Sequence, residues 1–196
     1  MLADFAPINL TNHFLIAMPN LSDALFGRSV VFMCEHSERG ALGLVINKPS
    51  DILLLRLFEK VDLTMGRSDL ALQPVFQGGP VQTERGFVLH EAVAGGDGES
   101  VYASTLSIPG GLEMTTSKDV LEAMASGAGP RKVFVTLGYA SWAQGQLESE
   151  ITENSWLTVE ADPSLIFDAP VAERYERAMA LLGLQPWMLS PDAGHA

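Results

Sequence analysis

The apolar residues of this chain fall in short blocks divided by turn residues, and the spacing changes from block to block. Residues 29–35 (S-V-V-F-M-C-E) are branched and aromatic and predict a buried strand. Residues 36–40 supply a turn and 41–47 resume the apolar run, which predicts a β-hairpin with a loop of about five residues. Pro49 should close that unit, because proline donates nothing to a ladder. Asp51 is placed to cap a helix through Lys60, with Leu54, Leu57, Phe58 and Val61 at helical spacing. Residues 63–72 show no strong period and read as an exposed connection.

Short strands are expected at 74–77 and 85–91, flanking Gly78-Gly79-Pro80, and the glycine-rich 94–99 has the composition of a mobile loop. Segments 102–108 and 112–115 read as strands on either side of Pro109-Gly110-Gly111. Thr116 followed by Asp119 resembles a helix start, with Val120, Leu121 and Met124 on the buried face. Residues 133–137 (V-F-V-T-L) form the clearest buried strand of the second half. Ser141 and Gln144 have capping-box spacing, which predicts a helix through Asn154 with Ala143, Leu147 and Ile151 inside. On that helix Trp142, Gln146 and Glu150 would share a second face, and Gly145 would cost about 1 kcal/mol against alanine. Strands at 156–160 and 165–167 precede a helix opened by Pro170, striped by Val171, Tyr175, Met179 and Leu182, and ended by Gly183. Residues 184–196 form a tail. Helices are too few for a doubly wound parallel sheet, so the pattern predicts one α/β or α+β domain over 1–196 with a mainly antiparallel sheet.

The 196 residues carry 12 Lys+Arg against 24 Asp+Glu, a net charge of −12, which opposes general nucleic-acid binding. Cys34 is the only cysteine, excluding an intrachain disulfide. No basic signal-peptide start and no apolar run of about 20 residues are present. A cytoplasmic protein with no membrane association is the expectation.

Motifs for metalloproteases, P-loops, dinucleotide binding and the hydrolase nucleophile elbow are absent. His13, His36, His90 and His195 lack metal-like spacing, so neither a metal nor another cofactor is expected. His90 reads as a base or as a core imidazole satisfied by backbone, and Cys34 as a buried thiol. Four segments carry more polarity than turns require. Asn47-Lys48-Pro49 follows a hydrophobic strand and serves a turn or a ligand. Gly78-Gly79 permits close backbone approach. Thr116 and Lys118 stand at a helix start, as caps or as anion contacts. Gly138-Tyr139 leads into Trp142, Gln146 and Glu150, an aromatic, an amide and a carboxylate.

Several stretches together resemble the AlgH/YqgE family. They are His13-Phe-Leu-Ile-Ala-Met-Pro19, Arg28-Ser-Val-Val with Cys34-Glu-His36, Gly43-Leu-Val-Ile-Asn-Lys-Pro49 and Gly78-Gly-Pro-Val81. Arg85-Gly-Phe-Val-Leu-His90, Thr115-Thr-Ser-Lys-Asp119, Leu137-Gly-Tyr-Ala-Ser-Trp-Ala-Gln-Gly-Gln-Leu147 ending in Glu150-Ile151, Asn154-Ser-Trp-Leu157 and the Pro170 helix complete the set. The resemblance implies a mainly antiparallel, bifurcated sheet folded into a barrel-like core with surrounding helices. It brings no catalytic residue, and the transcriptional-regulator label of some members finds no helix-turn-helix here.

The candidate cleft therefore comprises Asn47, Lys48, Gly78, Gly79, Thr116, Lys118, Tyr139, Trp142, Gln146 and Glu150, expected around one polar hollow. A regulatory or adaptor protein binding a small ligand or protein partner there is the leading expectation. The alternatives are an enzyme on an anionic substrate, with Lys48 or Lys118 holding the anion and Glu150 or His90 as acid/base, and a DNA-binding regulator.

Overall fold

The continuous apolar run of the second strand has a direct cause in packing, since both faces of that strand are buried. The computed structural model describes residues 8–21, 23, 26–93 and 101–184. The 94–99 loop, Trp187, Met188, Leu189 and His195 lie outside the described residues. Along the chain the elements are β1 (His13–Ala17), β2 (Val30–Ser37), β3 (Gly40–Val45), β4 (Pro49–Leu53), α1 (Leu54–Lys60), β5 (Pro74–Gln77) and β6 (Val81–Glu91). Then come β7 (Thr105–Ile108), β8 (Leu112–Thr115), α2 (Asp119–Ala125), β9 (Val133–Ala143), α3 (Gln146–Thr152), β10 (Trp156–Glu160), α4 (Pro163–Phe167) and α5 (Arg174–Leu181).

The main path of the sheet runs β10-β1-β2-β3-β9-β6-β8-β7, and it forks at β9. The end of β9 pairs with β3, from Gly43 opposite Ala140 to Gly40 opposite Ala143. Its middle pairs in parallel with β5, Phe76 opposite Thr136 and Gln77 opposite Leu137, and β5 in turn carries β4. β6 runs antiparallel to β9, from Val81 opposite Tyr139 to His90 opposite Val133. The β5–β9 pair is parallel and the other pairings are antiparallel, which makes this an α+β fold with the bifurcated sheet that the resemblance implied.

Three apolar clusters hold the fork. Phe32 and Cys34 of β2 face the largest, with Phe14, Phe76, Phe134 and Met179. Val31 and Met33 of the same strand face a second, with Leu147, Trp142 and Trp156. A third lies among Phe58 of α1, Val120 and Met124 of α2, and Val88 and Val135. Each fully buried phenylalanine contributes about 1.5–3 kcal/mol of hydrophobic stabilisation. Cys34 is buried, and desolvation pushes its thiol up, away from the thiolate a nucleophile needs.

Several local expectations are overturned. The β2–β3 hairpin pairs Ser37 with Gly40, leaving a two-residue turn rather than five. Pro49 does not close the unit but opens β4, an outer strand that among the described residues pairs only with β5, where a missing N–H is tolerated. Asp51 therefore lies in a strand, and α1 begins at Leu54 with no side-chain cap. Residues 165–167 are helical because Asp162 Oδ1 accepts from the Ser164 N–H at 3.0 Å and Pro163 sits in the first turn.

The largest correction concerns 138–145. Gly138, at a left-handed φ of 79°, and Tyr139 belong to β9, and Ser141 caps no helix. β9 runs on to Ala143, with Ala140 and Trp142 buried and Ser141 and Ala143 exposed, a period of two. The helix starts only after Gly145, whose φ of 76° belongs to a left-handed turn rather than a helix interior. Trp142 accordingly shares no helix face with Gln146 and Glu150.

Candidate functional site

At the fork two backbones cross at a separation that only glycine permits. A Cβ on Gly78 would stand 2.3 Å from the Gly138 carbonyl oxygen, and one on Gly79 would stand 2.2 Å from the Tyr139 carbonyl carbon. Gly78 is hydrogen-bonded on both sides, its N–H donating to Leu137 at 3.0 Å and its carbonyl accepting from Val45 at 2.9 Å. Asn47 acts as a clamp beside this crossing. Its Oδ1 accepts from the Val30 N–H at 2.9 Å and its Nδ2 donates to the Arg28 carbonyl at 2.8 Å, fixing the entry to β2. Asn47, Gly78 and Gly138 thus serve the backbone.

Where β4 and β5 diverge from β3, the fork leaves a cleft of about 320 Å³. Its walls are apolar, formed by Phe26, Val45, Ile52, Phe76 and Leu137, with Lys48, Ser50, Gln77 and Thr83 as the polar lining. Gly79 and Pro80 complete the rim. Lys48 is half-buried, and burial lowers its ammonium below the usual lysine pKa while Asp23 acts in the opposite direction.

Thr116 and Lys118 open onto a second cavity of about 250 Å³, enclosed by α1, α2 and the β6–β9 ribbon. Leu137 borders both hollows. Trp142 lies elsewhere, 5% exposed, its ring centroid 6.2 Å from that of Trp156. Gln146 Oε1 accepts from the Ala143 N–H at 3.0 Å and so closes the turn into α3. Glu150 Oε1 accepts from Trp156 Nε1 at 3.3 Å, and its Oε2 is buried without a hydrogen-bond partner among the described residues. Tyr139 packs edge-on against Phe87 at 5.3 Å. The expected single hollow therefore separates into the fork cleft, the Thr116–Lys118 cavity and a further hollow that Trp142 lines with Glu35, Arg39 and Leu42, because β9 carries Leu137 and Trp142 to different parts of the molecule.

His90 is buried with both ring nitrogens engaged, Nδ1 at 2.8 Å from the Glu91 carbonyl and Nε2 at 2.8 Å from Thr115 Oγ1. Neither His90 nor Glu150 lines a cavity with Lys48 or Lys118. Among the described residues no group of three or more His, Cys, Asp and Glu is arranged to hold a metal.

Two polar arrangements were missed from sequence. Arg174, 5% exposed, donates from Nη1 to the Ile46 carbonyl at 2.6 Å and from Nε to the Ala169 carbonyl at 3.1 Å. Its guanidinium stacks 5.1 Å from the Phe76 ring centroid, and burial lowers its pKa to about 10. A basic residue at a buried-stripe spacing in the last helix was the available signal.

His36, adjacent in sequence to Glu35, pairs instead with Glu148. Its Nδ1 accepts from the Leu10 N–H at 2.9 Å, so Nε2 carries the proton and donates to Glu148 Oε1 at 2.6 Å. Partial burial opposes ionisation of Glu148, yet its own backbone N–H and the His36 ring hold its carboxyl below the usual carboxylate pKa. A depressed acid pKa stabilises the fold above the unfolded value of about 4.3 and ceases to do so as pH falls through the folded value. Glu148→Gln should thus be less stable than wild type at neutral pH, with the gap closing below about pH 5. Urea titrations across that range test this; the side chain is 41% exposed, so solvent keeps the effect small.

A family model described as DUF179, AlgH-like, matches residues 14–187. Similar curated proteins include a UPF0301 protein of Acidovorax sp. (strain JS42), 73% identical, and one of Polaromonas sp. (strain JS666 / ATCC BAA-500), 72% identical. Each covers 100% of both chains. Among solved structures, the AlgH protein from Pseudomonas aeruginosa matches with TM-score 0.76 and 45% identity over 100% of both chains. A protein from Corynebacterium diphtheriae matches with TM-score 0.69 at 24% identity, covering 91% of this chain and 93% of that one, and bears on the fold alone.

Proposed function

This chain belongs to the AlgH-like family, and from that premise we propose that it is a single-domain cytoplasmic binding protein whose fork cleft takes a small, largely apolar ligand with an anionic group. The observation that carries this reading is the cleft itself. Its volume lies within the usual range of small-molecule sites, and apolar walls with a few convergent polar groups are their usual lining. The apolar walls would take the ligand's body, and Lys48 would meet its anion. The polar cleft expected from sequence is thereby narrowed to an apolar one.

Occupancy would be read out by the ribbon 80–86, which edges the cleft and whose pairing with β9 shifts register between Val81 and Gly86. Such a readout suits a regulatory or adaptor role. The net charge of −12 supports partners other than nucleic acid.

Octanoate is a suitable probe. It should raise the melting temperature and shift the methyl resonances of Val45, Ile52 and Leu137, since a ligand that binds only the folded state stabilises it by mass action. Ile52→Trp, which fills the cleft, should abolish both effects while remaining folded. Absence of saturable shifts at these methyls with octanoate and a panel of aryl carboxylates would overturn the reading.

A further inference from the structure

The second cavity has a composition that the fork cleft lacks. Leu57 and Val61 of the α1 end, Leu121 of α2, and Val88 and Val135 of the sheet give it an apolar floor. Thr115, the fully buried polar residue of its lining, is already committed, with Oγ1 at 2.8 Å from His90 Nε2 and 2.9 Å from Thr105 Oγ1. The floor therefore favours hydrocarbon, because a polar group placed there would lack a partner.

The rim is charged, with opposite signs. Lys118 precedes α2 and Glu84 lies on β6, and both border the cavity. Neither forms an ion pair among the described residues. Arg85, next to Glu84, is drawn aside, donating to Gln82 Oε1 at 3.2 Å and stacking over Phe87 at 5.6 Å. Ser117 donates to Asp119, whereas the Thr116 hydroxyl makes no hydrogen bond among the described residues. An apolar floor below one cation, one carboxylate and one hydroxyl is complementary to a molecule with a hydrocarbon group and both charges at one end.

We propose that this cavity binds a small aliphatic zwitterion, an α-amino acid with a branched side chain, with its hydrocarbon on Leu57, Val61 and Leu121, its carboxylate at Lys118 and its ammonium at Glu84. The site is separate from the fork cleft and does not depend on the function proposed for it. Charge complementarity sets the discrimination here: a ligand lacking either charge leaves one rim group without its partner.

The test uses the full chain, with methyl NMR titrations by leucine, 4-methylpentanoate and isopentylamine. Leucine should produce saturating shifts at Leu57, Val61 and Leu121. The two singly charged analogues should bind this cavity about tenfold more weakly or worse, and Lys118→Ala and Glu84→Gln should each weaken leucine about tenfold. Lys48→Ala should leave leucine binding unchanged, which separates this cavity from the fork cleft, where 4-methylpentanoate is free to bind. Leu121→Trp should remove binding while its thermal melt shows a folded protein. The proposal is overturned if leucine, isoleucine and valine give no saturable shifts at about 10 mM. It fails equally if an analogue with one charge binds this cavity as well as leucine, or if neither rim variant weakens leucine.

Discussion

Gly79→Ala is expected to destabilise the protein by about 3–5 kcal/mol, a large share of the stability of an ordinary domain. The new methyl carbon would lie 2.2 Å from the Tyr139 carbonyl carbon and 2.3 Å from the Ala140 nitrogen, so it meets backbone rather than a side chain able to rotate away. Either β5 must leave β9 or β9 must bend, and both movements undo the fork. The residue's φ of 156° adds strain for any L side chain. Gly86→Ala provides the control, since among the described residues nothing lies within 4 Å of its added Cβ. It should change stability by no more than about 0.5 kcal/mol. Urea unfolding of the two variants beside wild type decides the matter, and a Gly79→Ala deficit below about 1 kcal/mol would remove the crossing from the account of the fold.

Arg174→Ala should cost about 3–4 kcal/mol. Removing the side chain ends the hydrogen bonds to the Ile46 and Ala169 carbonyls and takes the cation from the faces of Phe76 and Phe134. Deleting a buried charge recovers its desolvation penalty, but the carbonyls left behind and the void beneath α5 outweigh that gain. Arg174→Lys separates the contributions. A lysine restores the charge without two donors directed to two carbonyls, so it should recover less than half of the loss. Full recovery by lysine would assign Arg174 a purely electrostatic role.

The strand skeleton was readable wherever apolar runs had one dominant period. Segments 74–77, 112–115 and 156–160 coincide with β5, β8 and β10 because turn residues bound them on both sides. The failures share a cause. At 138–145 the sequence offers both a Ser-x-x-Gln spacing and a period-two alternation that buries Ala140 and Trp142 and exposes Ser141 and Ala143, and pairing with β3 selects the alternation. At 165–167 three apolar residues are too few to show a period, and Asp162 with Pro163 decides for helix.

The candidate site was legible in its parts and not in its assembly. Lys48 with Gly79, and Thr116 with Lys118, do border cavities, but those cavities lie on either side of Leu137. Gly78 and Gly138 form a crossing that becomes visible only once β5 and β9 are aligned, and Glu148 stands far along the chain from the His36 it meets. Pairings of this kind leave no mark on local periodicity.

The first strand lies between β2 and β10, with His13 opposite Glu160 and Ala17 opposite Trp156. Its outer neighbour stands far along the chain and is therefore translated long after it. Until then β1 presents a bare edge beside Phe14, Leu15 and Ile16, a hazard that non-local strand pairing imposes on a nascent chain. Docking of β10 thus becomes a late, committing event in biogenesis, and a molecule truncated before Trp156 would emerge sticky rather than merely incomplete.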